Sequence, residues 1–273
     1  MQVVDIRKKN EMRVLQVVRE RVQISQADIA VETGLKASTV YRMVNTLLQE
    51  GWVENCPAPV DAPDRLGRPP AYYQVRAKSA YIVGVDFWSA YFAVVVTDFA
   101  GTVLIEQMYD FEDGINAETA LERIETAIEK LTYKLNISFV DVLGIGVGAP
   151  GVVDIREGMV ILYARIPGMD HFNIRRRLEE RFHVPVQVHN TVSIAAWGVH
   201  HYAQKISGRS SVAILIRSGV GGAYLSDGEI FVSRNKTALE IGHLTIDMHQ
   251  TVQNCANGSC VEQFISEDAF LQR

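Results

Sequence analysis

Between Cys56 and Ala71 the chain carries five of its eight prolines. Proline fixes φ and removes a backbone donor, so neither a helix nor the middle of a sheet can run through this stretch. The hydrophobic pattern also differs on its two sides. Before it, apolar residues recur at helical spacing; from Tyr81 onward they gather into runs of β-branched and aromatic residues. The chain is therefore expected to fold as two domains, residues 1–78 and 79–273.

In the first, Met12, Leu15, Val18 and Val22 mark the inner face of a helix over residues 7–21. Ser25 is an N-cap, with Asp28 near the capping-box position, for a short helix that stops at Gly34. Ser38 is expected to cap a third helix, with Val40, Val44 and Leu47 (plus Met43 and Leu48) turned inward and Gly51 at its end. Helix, short helix, glycine turn and longer helix make a helix-turn-helix. Trp52–Val53 and Tyr72–Val75 read as two strands around the proline stretch, which makes a wing.

The second helix of such a motif lies in the major groove. Here it offers Ser38, Thr39, Tyr41, Arg42 and Asn45 outward. Arginine can bond guanine through two donors, asparagine can bond adenine, and hydroxyls can hold phosphates. Gln26 is placed for a phosphate contact. The wing tip carries Arg65 and Arg68, and its Gly67-Arg68-Pro69 core has little bulk beside an extended arginine, which suits entry into a narrow A·T minor groove. The bland alternatives are a trihelical protein-interaction module and a solvent-exposed proline linker. Charge agrees weakly with the first view: residues 1–80 carry a balance of +3 and the remainder −8.

Beyond Tyr81, strands that mix hairpins with helical crossovers imply an α/β domain with a mixed sheet. Expected strands are YIVGVDF, FAVVVTDF, the segment after FAGTVL, VLGIGVGAPGVVD and VPVQVHN, with a glycine-bent pair in SVAILIRSGVGGAYLSDGEI. Helices are expected over 117–135, 173–182 and 193–204. No apolar run approaches the roughly 18 residues that a membrane-crossing helix needs. The N-terminus shows no apolar core after its charges, so it is not read as a signal peptide. These features lead to a cytoplasmic chain with no membrane partner. Three cysteines are too few for a disulfide framework, and the close pair Cys255 and Cys260 points to metal first.

SQADIAVETGLKASTVYRMVNTLLQEGWV, LGRPP, GVGAPGVVD, GVGGAYLSDGEI, LEIGHLTID and CANGSCVEQ follow one another in this order. Together they resemble the ROK family (repressor, open reading frame, kinase), in its xylose-operon and N-acetylglucosamine repressor branch. The resemblance implies a winged helix-turn-helix joined to an actin-like, sugar-kinase-like domain of two lobes, a structural zinc, and homodimers or homotetramers. Repressors of this type usually continue past the cysteine segment, so this chain is read as truncated or naturally short. By the same resemblance Gly151, Asn190, Glu240, His243 and Glu262 would hold a sugar. The alternative is polar residues satisfying a hinge. His243, Cys255 and Cys260 would hold zinc, with Gln253 in the place of a further cysteine. The alternative there is two reduced thiols packed together.

Sugar kinases of the family need an Asp-x-Gly-Gly-Thr loop for phosphate and an aspartate after Asn as general base. This chain reads Asp86-Phe87-Trp88-Ser89 and Asn190-Thr191. Two aromatics are expected to block the cradle, and threonine is no base at neutral pH. The expected function is therefore a non-enzymatic repressor of carbohydrate metabolism that binds operator DNA as a dimer and responds to a sugar. The other readings are a sugar kinase with a fused regulatory head and a repressor controlled by a protein partner. Arg165 stands where the family often has an uncharged amide, and Thr191 where it has a carboxylate. Both changes favour an anionic effector, with Arg165 as a buried cleft cation; the alternative is an Arg165 that salt-bridges on the surface.

Overall fold

A computed structural model describes residues 3–60, 70–202, 210–232, 239–247 and 259–271. The chain divides into two compact units, residues 1–82 with 96–105, and residues 83–95 with 106–273.

The first unit begins with α1 (Val3–Arg21), β1 (Ile24–Ser25), α2 (Gln26–Thr33) and α3 (Ala37–Gln49), followed by β2 (Val53–Cys56) and β3 (Tyr72–Val75). The three strands form an antiparallel sheet in the order β1-β3-β2, pairing Ile24 with Tyr73 and Val53 with Val75. Two-residue β1 was not expected; a strand this short leaves no periodic signal. The core contains Val14, Val18, Ile29, Val40, Met43, Val44, Leu47 and Val53. The inner stripe of α1 differs from the expected one. Met12 and Val22 are 66% and 70% exposed, and Val22 sits beyond the helix at φ 61°. Trp52 packs on Phe99 with ring centres 5.2 Å apart, and Arg19 lies 6.0 Å from the same ring.

The caps explain the turn. Ser25 is fully buried; its hydroxyl accepts the Asp28 N–H at 3.2 Å and donates to the Asp28 carboxylate at 2.5 Å. Gly34 then takes φ 64°, a left-handed conformation that costs glycine little, and returns its N–H to the Val31 carbonyl. The third helix departs from expectation. It starts at Ala37 with Lys36 as an extended N-cap that makes no side-chain cap bond. Ser38 therefore lies inside the first turn, where its hydroxyl is exposed instead of capping.

The remaining chain runs through β4 (Tyr81–Phe87), β5 (Tyr91–Asp98), β6 (Val103–Asp110), α4 (Ala117–Lys134), β7 (Val142–Ala149), β8 (Val152–Asp154), β9 (Met159–Leu162) and β10 (Phe172–Asn173). It continues through α5 (Ile174–Phe182), β11 (Val186–Asn190), α6 (Thr191–Tyr202), β12 (Ser210–Ile216), β13 (Val220–Ser226) and β14 (Glu229–Ile230). It closes with β15 (Thr245–Asp247), β16 (Ser259–Cys260), α7 (Glu262–Ile265) and α8 (Glu267–Leu271). A five-stranded sheet has the order β11-β7-β4-β5-β6, and a second sheet the order β12-β13-β14. β7 and β11 are parallel, whereas β12 and β13 are antiparallel, so the α/β class with mixed strands holds. β5 alternates buried and half-buried residues along its whole length, as period-two side-chain geometry requires. Arg177 on α5 ties down the nearly buried Glu125 of α4 at 2.6 Å.

Ser25→Ala removes both cap bonds at a buried position. We expect it to lower stability by about 1 kcal/mol, read as a shifted midpoint in urea denaturation. An unchanged midpoint would show that the cap contributes nothing.

Candidate functional site

On α3, positions 38, 41, 42 and 45 follow helical spacing, so they share a stripe opposite the buried Val40, Met43, Val44 and Leu47. Ser38, Tyr41 and Arg42 are exposed, and Thr39 and Asn45 are half-buried. Gln26 opens α2 and is half-buried. Five polar side chains are thus presented by one helix of a winged unit. Arg65 and Arg68 lie outside the described residues.

The second cluster is built where β4, β7 and β11 end. Asn190, the last residue of β11, donates to the Gly151 carbonyl at 2.8 Å and accepts the Val192 N–H at 3.0 Å. Its amide is thereby locked at the start of α6. Gly151 has φ 74°, and a Cβ there would collide with the Leu162 carbonyl and the Tyr163 side chain. Thr191 Oγ1 donates to Asp86 Oδ1 at 3.0 Å. Asp86 fits because Gly148 has no side chain: a Cβ at that position would stand 2.7 Å from Asp86 Oδ1.

Burial raises the Asp86 carboxyl from its ordinary 3.8 to about 6, against the lowering pull of Thr191 and Arg217. Arg217 was not singled out from the sequence. Its Nη1 stands 3.8 Å from Asp86 Oδ2, and its guanidinium lies 3.5 Å above the centre of the Trp88 ring. The signal for it was present, as a charge at the end of uncharged β12 just before Gly219. The aromatic replacements act differently from one another. Phe87 is fully buried in the core, and only Trp88 packs beside the expected cradle. Arg165 also differs from expectation: it is exposed, and it donates to the Ser218 carbonyl at 2.8 Å. A tight turn at Pro167–Gly168 leaves its long side chain reaching along the surface to the β12–β13 turn.

Glu262 accepts the Val220 N–H at 2.9 Å, and its carboxylate would lie 3.0 Å from a Cβ at Gly219 and 3.2 Å from one at Gly242. Glu240 is exposed as a residue, yet desolvation of its carboxyl raises its pKa; His243 pulls it down and Glu262 pushes it further up. Tyr163 is raised chiefly by burial, with Ser89, Arg165 and Glu262 acting on it as neighbours. The structure therefore brings Gly151, Asn190, Glu240, His243 and Glu262 into one neighbourhood, together with Asp86, Trp88, Tyr163 and Arg217. Carboxylates, an amide and a phenol can hold vicinal hydroxyls in paired bonds.

Among the described residues no group of three or more His, Cys, Asp or Glu is placed to hold a metal ion. The β15–β16 ladder, pairing Thr245 with Cys260, brings the His243 end of one segment beside Cys260. Cys255 lies outside the described residues. Of the expected zinc ligands only His243 and Cys260 are described, and zinc takes imidazole and thiolate ligands.

A model described as the ROK family matches residues 82–273. The chain belongs to the ROK family. A model described as the IclR helix-turn-helix domain matches residues 11–57. The xylose repressor of Caldicellulosiruptor bescii is 27% identical over 262 residues, covering 96% of this chain and 65% of the relative. The N-acetylglucosamine repressor of Escherichia coli is 23% identical over 269 residues, covering 98% and 65%. This ROK chain thus spans about two-thirds of the length of these relatives. Among solved structures, a ROK family transcriptional regulator described as a homolog of the E. coli MLC protein matches 98% of this chain and 66% of its own. Its TM-score is 0.79 at 22% identity. A ROK glucokinase of Streptomyces griseus, solved with glucose and AMPPNP, matches 71% of this chain and 59% of its own, with a TM-score of 0.62 at 25% identity. The fold is a helix-turn-helix region followed by the ROK actin-like sugar-kinase fold. No helix of the described residues is long and apolar enough to cross a membrane.

Asp86 holds its proton to higher pH in the folded chain than in the unfolded one. Its contribution to stability is thus present below about pH 4 and lost as pH rises through about 6. Asp86→Asn keeps the neutral form at every pH. Its melting temperature relative to wild type should climb between pH 4 and 6 and level off above. A difference independent of pH would mean that Asp86 does not titrate in this window.

Proposed function

We propose that this chain is a sugar-responsive transcriptional repressor which binds operator DNA through α3 and senses its effector in the cleft without phosphorylating it. The observation that carries the reading is the stripe of Ser38, Tyr41, Arg42 and Asn45 on α3, turned away from the core of a winged three-helix unit. The names of the xylose and N-acetylglucosamine repressors support the same role. Operators of such heads consist of half-sites about one helical turn or a multiple apart, each read by one head of a dimer. Dimerisation, like the effector itself, belongs to this proposal.

Arg42→Ala should weaken operator binding and relax the base preference at one position, by roughly 1–3 kcal/mol for a two-donor guanine contact. Binding to a panel of operator variants in a mobility-shift assay measures it. An equal loss on every DNA sequence would leave Arg42 as a phosphate anchor only.

A second reading, a sugar kinase with a regulatory head, draws on Asp86, whose pKa of about 6 suits a general base. Against it, Thr191 replaces the expected aspartate, and the Arg217 guanidinium on Trp88 stands where the phosphate loop would need glycine backbone. We expect no ATP-dependent phosphorylation of glucose, xylose or N-acetylglucosamine in a coupled assay. Turnover above a denatured-protein control would restore the kinase reading.

A further inference from the structure

Arg217 is held from every side except one. Its N–H donates to the Gly219 carbonyl at 2.8 Å, and its carbonyl accepts the Glu267 N–H at 2.8 Å. Its guanidinium carbon rests 3.5 Å from the Trp88 ring centre and 5.9 Å from that of Tyr91. Those rings stack on each other across a hairpin closed by the Trp88 N–H on the Tyr91 carbonyl at 2.8 Å. The side chain is therefore pre-organised, with about 29% of its surface exposed.

Its Nη1 is buried and makes no hydrogen bond among the described residues. The nearest carboxylate, Asp86, stays at 3.8 Å, and its other oxygen already accepts from Thr191. A buried guanidinium donor left without an acceptor is costly, whereas a carboxylate or phosphate would satisfy it through charge-assisted bonds. One residue further along the same turn, the Ser218 carbonyl accepts from Arg165 at 2.8 Å, so a second arginine is anchored on the β12–β13 turn. The groups suited to sugar hydroxyls, Asn190, Glu262 and Glu240, belong to the same cluster. A ligand that spans both sets carries hydroxyls at one end and an anion at the other.

We infer that Arg217 is the anion anchor of this cleft, and that the effector is a polyhydroxylated small molecule bearing a carboxylate or a phosphate. This rests on the sensor reading above. Arg165 is the secondary cation at the turn's outer side. The anchor serves the effector and not a nucleotide, because one face of the guanidinium is already covered by Trp88.

The test is calorimetry on the full chain at constant ionic strength with glucose, gluconate, glucose 6-phosphate, xylose, xylonate and ATP, paired with operator release. We expect at least one acid or phosphate to bind tenfold or more tightly than its neutral parent, and ATP not to bind. Arg217→Met, which keeps the stem and loses the charge, should bring that ratio to about one, while Arg217→Lys keeps part of it; circular-dichroism melts confirm that both fold. Neutral sugars binding as tightly as their acids would overturn the anchor and leave the sensor reading intact. The same follows if the preference survives Arg217→Met, or if ATP binds and that binding is lost in the variant. If none of the compounds binds or releases DNA, the sensor reading fails and the anchor falls with it.

Discussion

The parallel ladder between β7 and β11 sets the positions of Asn190 and the Gly151 turn, the edge around which the candidate site is built. Its pairs run from Val186 with Ile145 to Asn190 with Ala149, so both strands end together and release their next residues at one edge. One strand gives way to the Gly151 turn and the other to α6, which is why Asn190 can reach the Gly151 carbonyl. In open α/β sheets ligands bind outside the carboxyl ends of strands, where loops diverge and backbone groups are uncommitted. Gly148 makes the edge compact enough for Asp86: any side chain there would displace its carboxylate or the Ile194 side chain.

Electrostatics within that edge set it apart from a phosphate cradle. A phosphate cradle needs exposed backbone N–H groups and room for three oxygens. Here the equivalent loop is a tight hairpin with Trp88 and Tyr91 stacked across it, and a cation from the β12–β13 turn laid on the indole. The cation–π contact contributes on the order of 1 kcal/mol, and it directs the guanidinium more than it stabilises the fold. Asp86 stays near Arg217 without a formed hydrogen bond, so the pair does not neutralise itself fully. That leaves polarity in the cleft for a ligand to complete.

The winged unit follows a simpler logic. Its capped turn between α2 and α3 orients a helix whose apolar stripe packs in the core, so the opposite stripe faces away from it. A polar stripe fixed in this way is held rigid by the core packing beneath it.

Much of this was legible in the chain itself. Local rules decide caps, turns and element types, and so Ser25 with Asp28, Gly34, the run of strands after Tyr81 and the helix over 117–134 could all be read from spacing and residue chemistry. The order of the ROK motifs named the family because several weak patterns in sequence are jointly specific. Tertiary structure alone decided which side chains meet. Met12 and Val22 match a helical stripe, but the packed face of α1 is centred on Val14 and Val18. Ser38 suits a cap, yet the chain enters the helix two residues earlier, with Lys36 at the cap position. Arg165 looked like the cleft cation because it replaces an amide in a motif, while Arg217 takes that place through a contact between residues 86–91 and 217 that no local pattern encodes. Spacing along the chain reports what a residue type can do within one turn or strand. Which charge is buried, and against which ring, depends on strands distant in sequence being brought together.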